Sequence, residues 1–275
     1  MKKKISQVLM YLFILLFICI IILPFIWLVL GSFKNMKELF AMPVQILPTK
    51  LRLENFIDVF KTQPFGGYII NSLITSVLAT ILIIVIGSMA SYALARIEIR
   101  GKKYVLAALL SITLLPPVTL LNPLYQLLSK FSLLNSWWGL ALIITATELP
   151  MAIWFLNSFF QNISQEMEEA AMIDGASIWV QIVKIIMPLV APGVFTIAIM
   201  TFVNAWNNYL FAQVFNPLPK ARTVTVALTL FQVDNFLPWN LISAAAVIVT
   251  LPLIVIILVL QKKIIGGMME GGVKG

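Results

Sequence analysis

Apolar residues in this chain run in blocks far longer than a soluble core helix needs. About twenty consecutive apolar residues carry an α-helix across the hydrocarbon core of a bilayer. Six blocks reach that length, at roughly 8–31, 68–94, 104–128, 137–159, 189–212 and 241–261. The pattern predicts an all-α membrane protein with six transmembrane helices. The first block follows Met1-Lys2-Lys3-Lys4 and lacks a small-residue cleavage site, so it reads as a retained anchor rather than a signal peptide. The chain then divides into an anchor helix with an outer loop (1–67), a five-span core (68–265) and a C-terminal tail (266–275) that composition reads as flexible.

Breaks in the pattern predict local features. Pro116-Pro117 removes two backbone donors within the third block and interrupts that helix. Pro43, Pro48 and Pro64 suggest ordered turns in the 32–67 loop, and Thr223–Thr229 reads as strand-like within the 213–240 loop. Pro188 and Pro192 bracket the start of the fifth block and are expected to fix its angle to the preceding loop. That loop holds four of the eleven acidic residues, Glu166, Glu168, Glu169 and Asp174, within nine positions. Ser164 can cap a helix, acidic residues suit its first turn, and Gly175 suits the left-handed position past its end. A cytoplasmic helix at about 164–175 follows, with Met167, Ala170, Ala171 and Asp174 on one low-relief face.

Composition confirms the class. Charged residues are 11% of the chain and apolar residues 61%, against about 25% charged in soluble domains. There is no His, which excludes His metal sites, His-dependent triads and His proton relays, and the single Cys19 excludes an intrachain disulfide. The net charge of +8 is spread over short loops, which fits lipid headgroups and topology signals rather than nucleic acid. With the N-terminus inside, cytoplasmic segments hold eleven Lys or Arg, four of them within Arg96–Lys103, against eight outside. Both termini are therefore expected in the cytoplasm.

Polar residues inside the blocks carry the candidate chemistry. Asn71 and Ser72 open the second block, where helix packing and a pathway role are both open to Asn71. Glu148 is the only acid inside a block; it is open to a functional reading or to satisfying backbone freed beside Pro150. Asn204, Trp206, Asn207, Asn208 and Tyr209 close the fifth block. Amides beside aromatic rings are groups that bind sugar hydroxyls and stack on C–H faces; an interfacial helix end is the alternative. Trp137 and Trp138 suit an interfacial belt.

Glu169-Ala170-Ala171, three residues, Gly175, nine residues, then Ile185-Ile186-Met187-Pro188 resembles the cytoplasmic loop of ABC importer permeases, EAA-x3-G-x9-I-x-L-P. Only Met187 departs, standing where that family has Leu. Leu133-Leu134-Asn135-Ser136-Trp137-Trp138-Gly139-Leu140 resembles the L-N-T-x-x-G-L segment of sugar-type members. Trp206-Asn207-Asn208-Tyr209 is similar to their W-N-E-F stretch, with Asn208 replacing the acid and Tyr209 the Phe, and Gly271-Gly272-Val273-Lys274-Gly275 matches the tail of MalG-like subunits.

The resemblance implies a type I ABC importer (MetI-like) permease of the maltose type, in the cell membrane of a prokaryote. Its implied partners are a second, homologous permease, an ABC ATPase dimer and an extracytoplasmic sugar-binding protein, within the lipid bilayer. It assigns ATPase coupling to Met167, Glu169, Ala170, Ala171, Asp174, Gly175 and Pro188, and the substrate pathway to Asn71, Asn204, Trp206, Asn207, Asn208 and Tyr209. ATP and Mg would be bound by the partner ATPase and no cofactor by this chain, which contains no G-x-x-x-x-G-K-[ST] and is expected not to be an enzyme. The alternatives are a permease of the same class for a non-sugar solute, and an ion-coupled secondary transporter built around Glu148.

Overall fold

The computed structural model describes residues 2–231 and 237–272, and among these no strand occurs. In chain order, α1 (Lys2–Ser32), α2 (Met36–Leu39) and α3 (Glu54–Thr62) precede α4 (Phe65–Arg96). Then come α5 (Lys102–Thr113), a 3-10 turn at Pro117–Leu120, α6 (Leu121–Lys130) and α7 (Trp137–Gln161). α8 (Gln165–Ile173) and α9 (Ile178–Val180) lead through a π-helical stretch, Gln181–Ile186, into α10 (Met187–Trp206). α11 (Leu210–Phe215), α12 (Val224–Ala227), a 3-10 turn at Leu228–Phe231 and α13 (Trp239–Gly272) complete the described chain.

Five helical segments are long and apolar enough to cross a membrane: Leu9–Ser32, Phe65–Arg96, Trp137–Gln161, Ile178–Trp206 and Trp239–Leu260. The expected third span is not one helix. Lys102–Thr113 and Pro117–Lys130 meet at 92°, and only as a pair do they make a sixth candidate. Pro116 and Pro117 supply no N–H, and the residue before each proline is driven out of helical geometry. α5 rises only about 18 Å at 1.5 Å per residue, short of a bilayer's apolar core of about 30 Å.

That break is the one the two prolines predict, whereas two other readings are corrected. Thr223–Thr229 forms no strand: it runs through α12 into the 3-10 turn, with Val224, Val226 and Ala227 buried. β-branched residues favour a pleated surface only where a neighbouring strand exists to pair with, and among the described residues there is none. The C-terminal stretch from Gly266 continues α13 to Gly272 instead of leaving it as a tail, while Val273, Lys274 and Gly275 lie outside the described residues.

The chain forms two compact units. One comprises Met1–Gly66 with Ala227–Pro252. Its loop is ordered by polar contacts: Asn55 donates to the carbonyls of Ser32 (2.8 Å) and Lys34 (2.9 Å) and accepts from Asn240 (2.9 Å). Lys34, 1% exposed, donates to the Gln45 carbonyl and lies 4.6 Å from the Trp27 ring centroid. Asn35 and Glu38 form a capping box at α2, and the Thr49 hydroxyl donates to Glu38.

The second unit comprises Gly67–Val226 with Leu253–Gly275. Its core is two apolar clusters. Ala79, Leu140, Ile144, Ala205 and Phe215 centre one, and Ile83, Leu156, Phe160, Ile186 and Val190 the other. Asn135 takes a left-handed φ of 53°; its amide oxygen accepts from the Leu218 N–H (2.9 Å) and its own N–H donates to the Phe215 carbonyl (2.8 Å). Four residues on, a Cβ on Gly139 would sit 2.1 Å from the Leu133 carbonyl oxygen. The Leu-Asn segment therefore has a local reason: Asn for the turn and its pin, Gly for the backbone crossing.

Two stability effects follow. Gly139→Ala should destabilise the purified protein by about 1–3 kcal/mol, the range for overpacking, seen as a lowered thermal midpoint in detergent. Glu38 is held below the usual carboxylate range, first by the Thr49 hydroxyl and then by the Asn35 backbone N–H. A lowered folded-state pKa gives a contribution that is complete above the unfolded value of about 4.3 and lost as pH falls through the folded value. Between about pH 5 and pH 3 the parent should therefore lose more thermal stability than Glu38→Gln; identical pH profiles would remove Glu38 from the account.

Candidate functional site

Two places in the second unit bring the singled-out residues together. The first is the short helix α8. Nine residues are too few for a helix to persist alone in water, so its ends and its inward face must hold it. Ser164 accepts from the Glu166 N–H (3.2 Å) at the start, and Glu166 and Glu168 lie in the first turn. At the far end Asp174 is the C-cap and Gly175 takes φ +80°, which a residue with a Cβ adopts only with strain.

The inward face is decided by Glu168 and Ala171, three residues apart and both buried. Glu168 Oε1 accepts from Arg96 Nε at 2.5 Å, its Oε2 accepts from the Tyr92 hydroxyl at 3.2 Å, and Arg96 Nη2 donates to the Ile163 carbonyl at 3.1 Å. The side chains of Arg96 and Glu168 keep only 11% and 8% of their exposure. The last turn of α4 is thereby latched to α8. The sequence places Glu168 among the acidic residues of this helix but gives it no partner, because only the third dimension brings Arg96 to it across 72 residues.

This latch corrects the face assigned to the alanines. Ala171 turns inward with Glu168, whereas Met167, Glu169, Ala170 and Asp174 are exposed. Adjacent residues on a helix lie about 100° apart, so the Ala170-Ala171 pair cannot both be central to one face when Ala171 is buried. Pro188 is exposed in the first turn of α10, directly after the π-helical stretch. Proline cannot donate to the carbonyl four residues back and its ring crowds that turn; widening the turn over Gln181–Ile186 accommodates it without ending the helix.

The second place is a cavity of about 590 Å³. Its lining draws on both halves of the bent α5–α6 pair, the middle of α7 and the break between α10 and α11, including Thr147, Glu148, Met151, Asn208 and Tyr209. Glu148 lies eleven residues into the 25-residue α7, about 17 Å along it and close to its middle. Glu148 Oε2 accepts from Asn204 Nδ2 at 3.2 Å, and the two residues also line a smaller adjoining pocket. Asn208 Oδ1 accepts from the Phe211 N–H (3.2 Å), starting α11 just past the helix break.

The predicted pathway residues separate here. Asn204, Asn208 and Tyr209 line these spaces, and Asn207 is exposed at the C-cap of α10. Trp206 is 1% exposed and stacks on Phe202 at 5.9 Å, so it is a core ring and not a surface offered to a solute. Asn71 is buried too: its Nδ2 donates to the Arg222 carbonyl (2.9 Å) and its Oδ1 accepts from Trp137 Nε1 (2.8 Å). With Ser72, which accepts from the Val224 N–H (2.8 Å), Asn71 pins the 217–224 stretch to α4. Of the two readings open to Asn71, packing accounts for both ends of its amide. Among the described residues, no group of three or more His, Cys, Asp or Glu is arranged to hold a metal ion.

Residues 98–268, which include α8 and the whole cavity lining, match the family described as binding-protein-dependent transport system inner membrane component. The chain belongs to this family. It is a permease of an ABC importer and a multi-pass protein of the prokaryotic inner membrane; such permeases are not themselves enzymes. Its relatives include the sulfoquinovosyl glycerol transport system permease SmoH of Agrobacterium fabrum, 38% identical across 92% of this chain and 88% of that one. The trehalose/maltose transport system permease MalG of Thermococcus litoralis is 35% identical across 100% and 99%. The trehalose transport system permease SugB of Mycobacterium tuberculosis is 34% identical across 92% and 93%. The solved structure of a bacterial ABC transporter involved in alginate import shares the fold, with a TM-score of 0.81 over 95% of this chain and 97% of that one at 21% identity.

The latch makes a stability prediction. Removing one partner of a buried ion pair strands the other, so Arg96→Ala should cost about 3–5 kcal/mol, while the double substitution Arg96→Met with Glu168→Met should recover much of it. Thermal unfolding of the purified permease checks both; equal losses in single and double variants would reject a buried pair.

Proposed function

We propose that this permease forms half of the translocation pathway of an ATP-driven importer of sugars or oligosaccharides, coupled to a separate ATPase through α8. The observation that carries the reading is the division of α8 into a latched face and a free one. Glu168 and Ala171 hold the helix to the body of the unit, and Met167, Glu169, Ala170 and Asp174 are left for a partner. Glu169 offers charge to a basic residue of the ATPase, Ala170 allows a close approach, and Gly175 makes the turn that returns the chain to the membrane. ATP-driven closure of an ATPase dimer would displace α8. The latch would pass that displacement to α4, and the continuous path through the π-helical stretch would pass it to α10.

The sugar assignment is supported by the relatives named above, whose names carry sulfoquinovosyl glycerol, trehalose and maltose. It brings with it six spans with both termini cytoplasmic, the α5–α6 pair serving as the third. It also brings a second homologous permease, an ATPase dimer binding ATP and Mg, and an extracytoplasmic sugar-binding protein. An alginate transporter of this fold has been solved with an alginate-pentasaccharide-bound periplasmic protein.

Glu169→Lys reverses the charge on the free face, and Gly175→Pro forces φ from +80° to about −65°. In proteoliposomes holding the whole importer, each should bring ATP-driven uptake down to background while the chain stays in the membrane. Normal uptake by either variant would reject coupling through α8.

A further inference from the structure

We infer that Glu148 makes the cavity a charge-selective station, one that receives uncharged polyhydroxylated solutes and turns away anionic ones. The substrate class refines the transport reading above and rests on it, whereas the charge selectivity of the cavity is tested independently of it.

The starting point is cost. A carboxyl group in the middle of a membrane helix is tolerated only where water, a polar partner or a cation meets it. Glu148 has one partner among the described residues, the Asn204 amide at its Oε2, and no Lys or Arg lines either adjoining space. Its Oε1 accepts no hydrogen bond from any described residue. Among the described residues the carboxyl therefore meets neither a salt-bridge partner nor a backbone donor. The Pro150 explanation does not apply: a proline leaves an acceptor unpaired, the carbonyl four residues back, whereas the bond that Glu148 makes is accepted from the Asn204 amide.

What surrounds it completes the chemistry. Tyr209, 44% exposed, sits on the same wall with Asn208 and presents a hydroxyl and a ring face. Most of the remaining lining is aliphatic, from Leu115, Leu120, Leu124 and Met151. Sugar hydroxyls donate well to a carboxylate oxygen, and the C–H faces of a pyranose ring stack on an aromatic ring. Where the carboxyl is ionised, an anionic solute meets a like charge with no Lys or Arg of this chain lining the space beside it, across apolar walls where a Coulomb interaction is screened far less than in water. The cavity volume of about 590 Å³ is within the range of small-molecule sites.

Cysteine accessibility reads this directly. Met151→Cys and Ala146→Cys place a thiol on the cavity wall, in a Cys19→Ser background within the intact importer in membranes. The probes are the cationic trimethylammonium-ethyl and the anionic sulfonatoethyl methanethiosulfonates. The ratio of cationic to anionic labelling rates, normalised to free thiol, should exceed unity by about tenfold. It should collapse toward unity with Glu148→Gln and persist with Glu148→Asp. A ratio near unity with Glu148 in place, a ratio indifferent to Glu148→Gln, or thiols at both positions unreactive to both reagents would each overturn the station.

Uptake supplies the second arm: a neutral disaccharide, trehalose, against a uronic-acid disaccharide, each offered with ATP to the whole importer. Glu148→Gln should narrow the preference for the neutral sugar by several fold. Unchanged discrimination would overturn the role of Glu148 in solute choice. ATP-driven uptake of no sugar at all would instead sink the transport reading and leave the labelling result to stand or fall alone.

Discussion

A guanidinium and a carboxylate, almost stripped of water, hold α8 to the end of α4. Without the contact between Arg96 and Glu168 the nine-residue helix would have only its caps and one buried alanine to keep it folded. Both charges are compensated beyond their own pair. Tyr92 donates to the second carboxyl oxygen and Arg96 donates to the Ile163 carbonyl, so the desolvation cost of burying them is met by hydrogen bonds as well as by charge. Because the partners are short-range and directional, α8 cannot shift without moving α4 or breaking the pair. That stiffness is what a helix needs if force applied to its exposed face is to reach the membrane.

The opposite end of the unit is organised by neutral polar pins. Asn71, Ser72 and Asn135 each use an amide or hydroxyl on backbone groups of the 216–224 stretch, and Arg222 adds a contact to the Tyr68 hydroxyl at 3.2 Å. The segment has almost no regular structure of its own beyond α12, so these bonds substitute for the backbone pairing a helix would supply. Polar residues at membrane-helix ends thus divide into two roles. Those bonded to backbone groups inside the protein fasten it. Those facing the cavity, Glu148 and Tyr209 above all, keep capacity for something else.

Proline acts differently at its two main sites. Pro116 and Pro117 lie together where no widened turn can absorb them, and the helix axis swings through 92°. Pro188 follows six residues of π-helix, and the segment Ile178–Trp206 continues as one crossing. The bend opens the cavity between α5–α6 and α7, while the π-helical stretch preserves a continuous path from the loop into α10. Tolerance of non-standard backbone at membrane depth is expected where it lines a cavity or is buried in protein.

The sequence by itself determined what local chemistry and bulk hydrophobicity decide. Block length identified the membrane helices, and Ser164 and Gly175 bounded α8, because capping involves groups only a few residues apart. The spacing from Glu169 to Pro188 identified the family through a pattern along the chain. Tertiary structure alone decided which way residues face and what they meet. Ala171 turns in and Ala170 out because Arg96 lies on one side of the helix. Trp206 and Asn71, polar enough to suggest a pathway, are claimed by Phe202 and by Trp137 with Arg222. Thr223–Thr229 turns helical because no strand is present among the described residues for it to pair with. In each case the deciding partner is distant in sequence, set by burial or missing, and neither periodicity nor composition encodes which side of a helix a partner occupies.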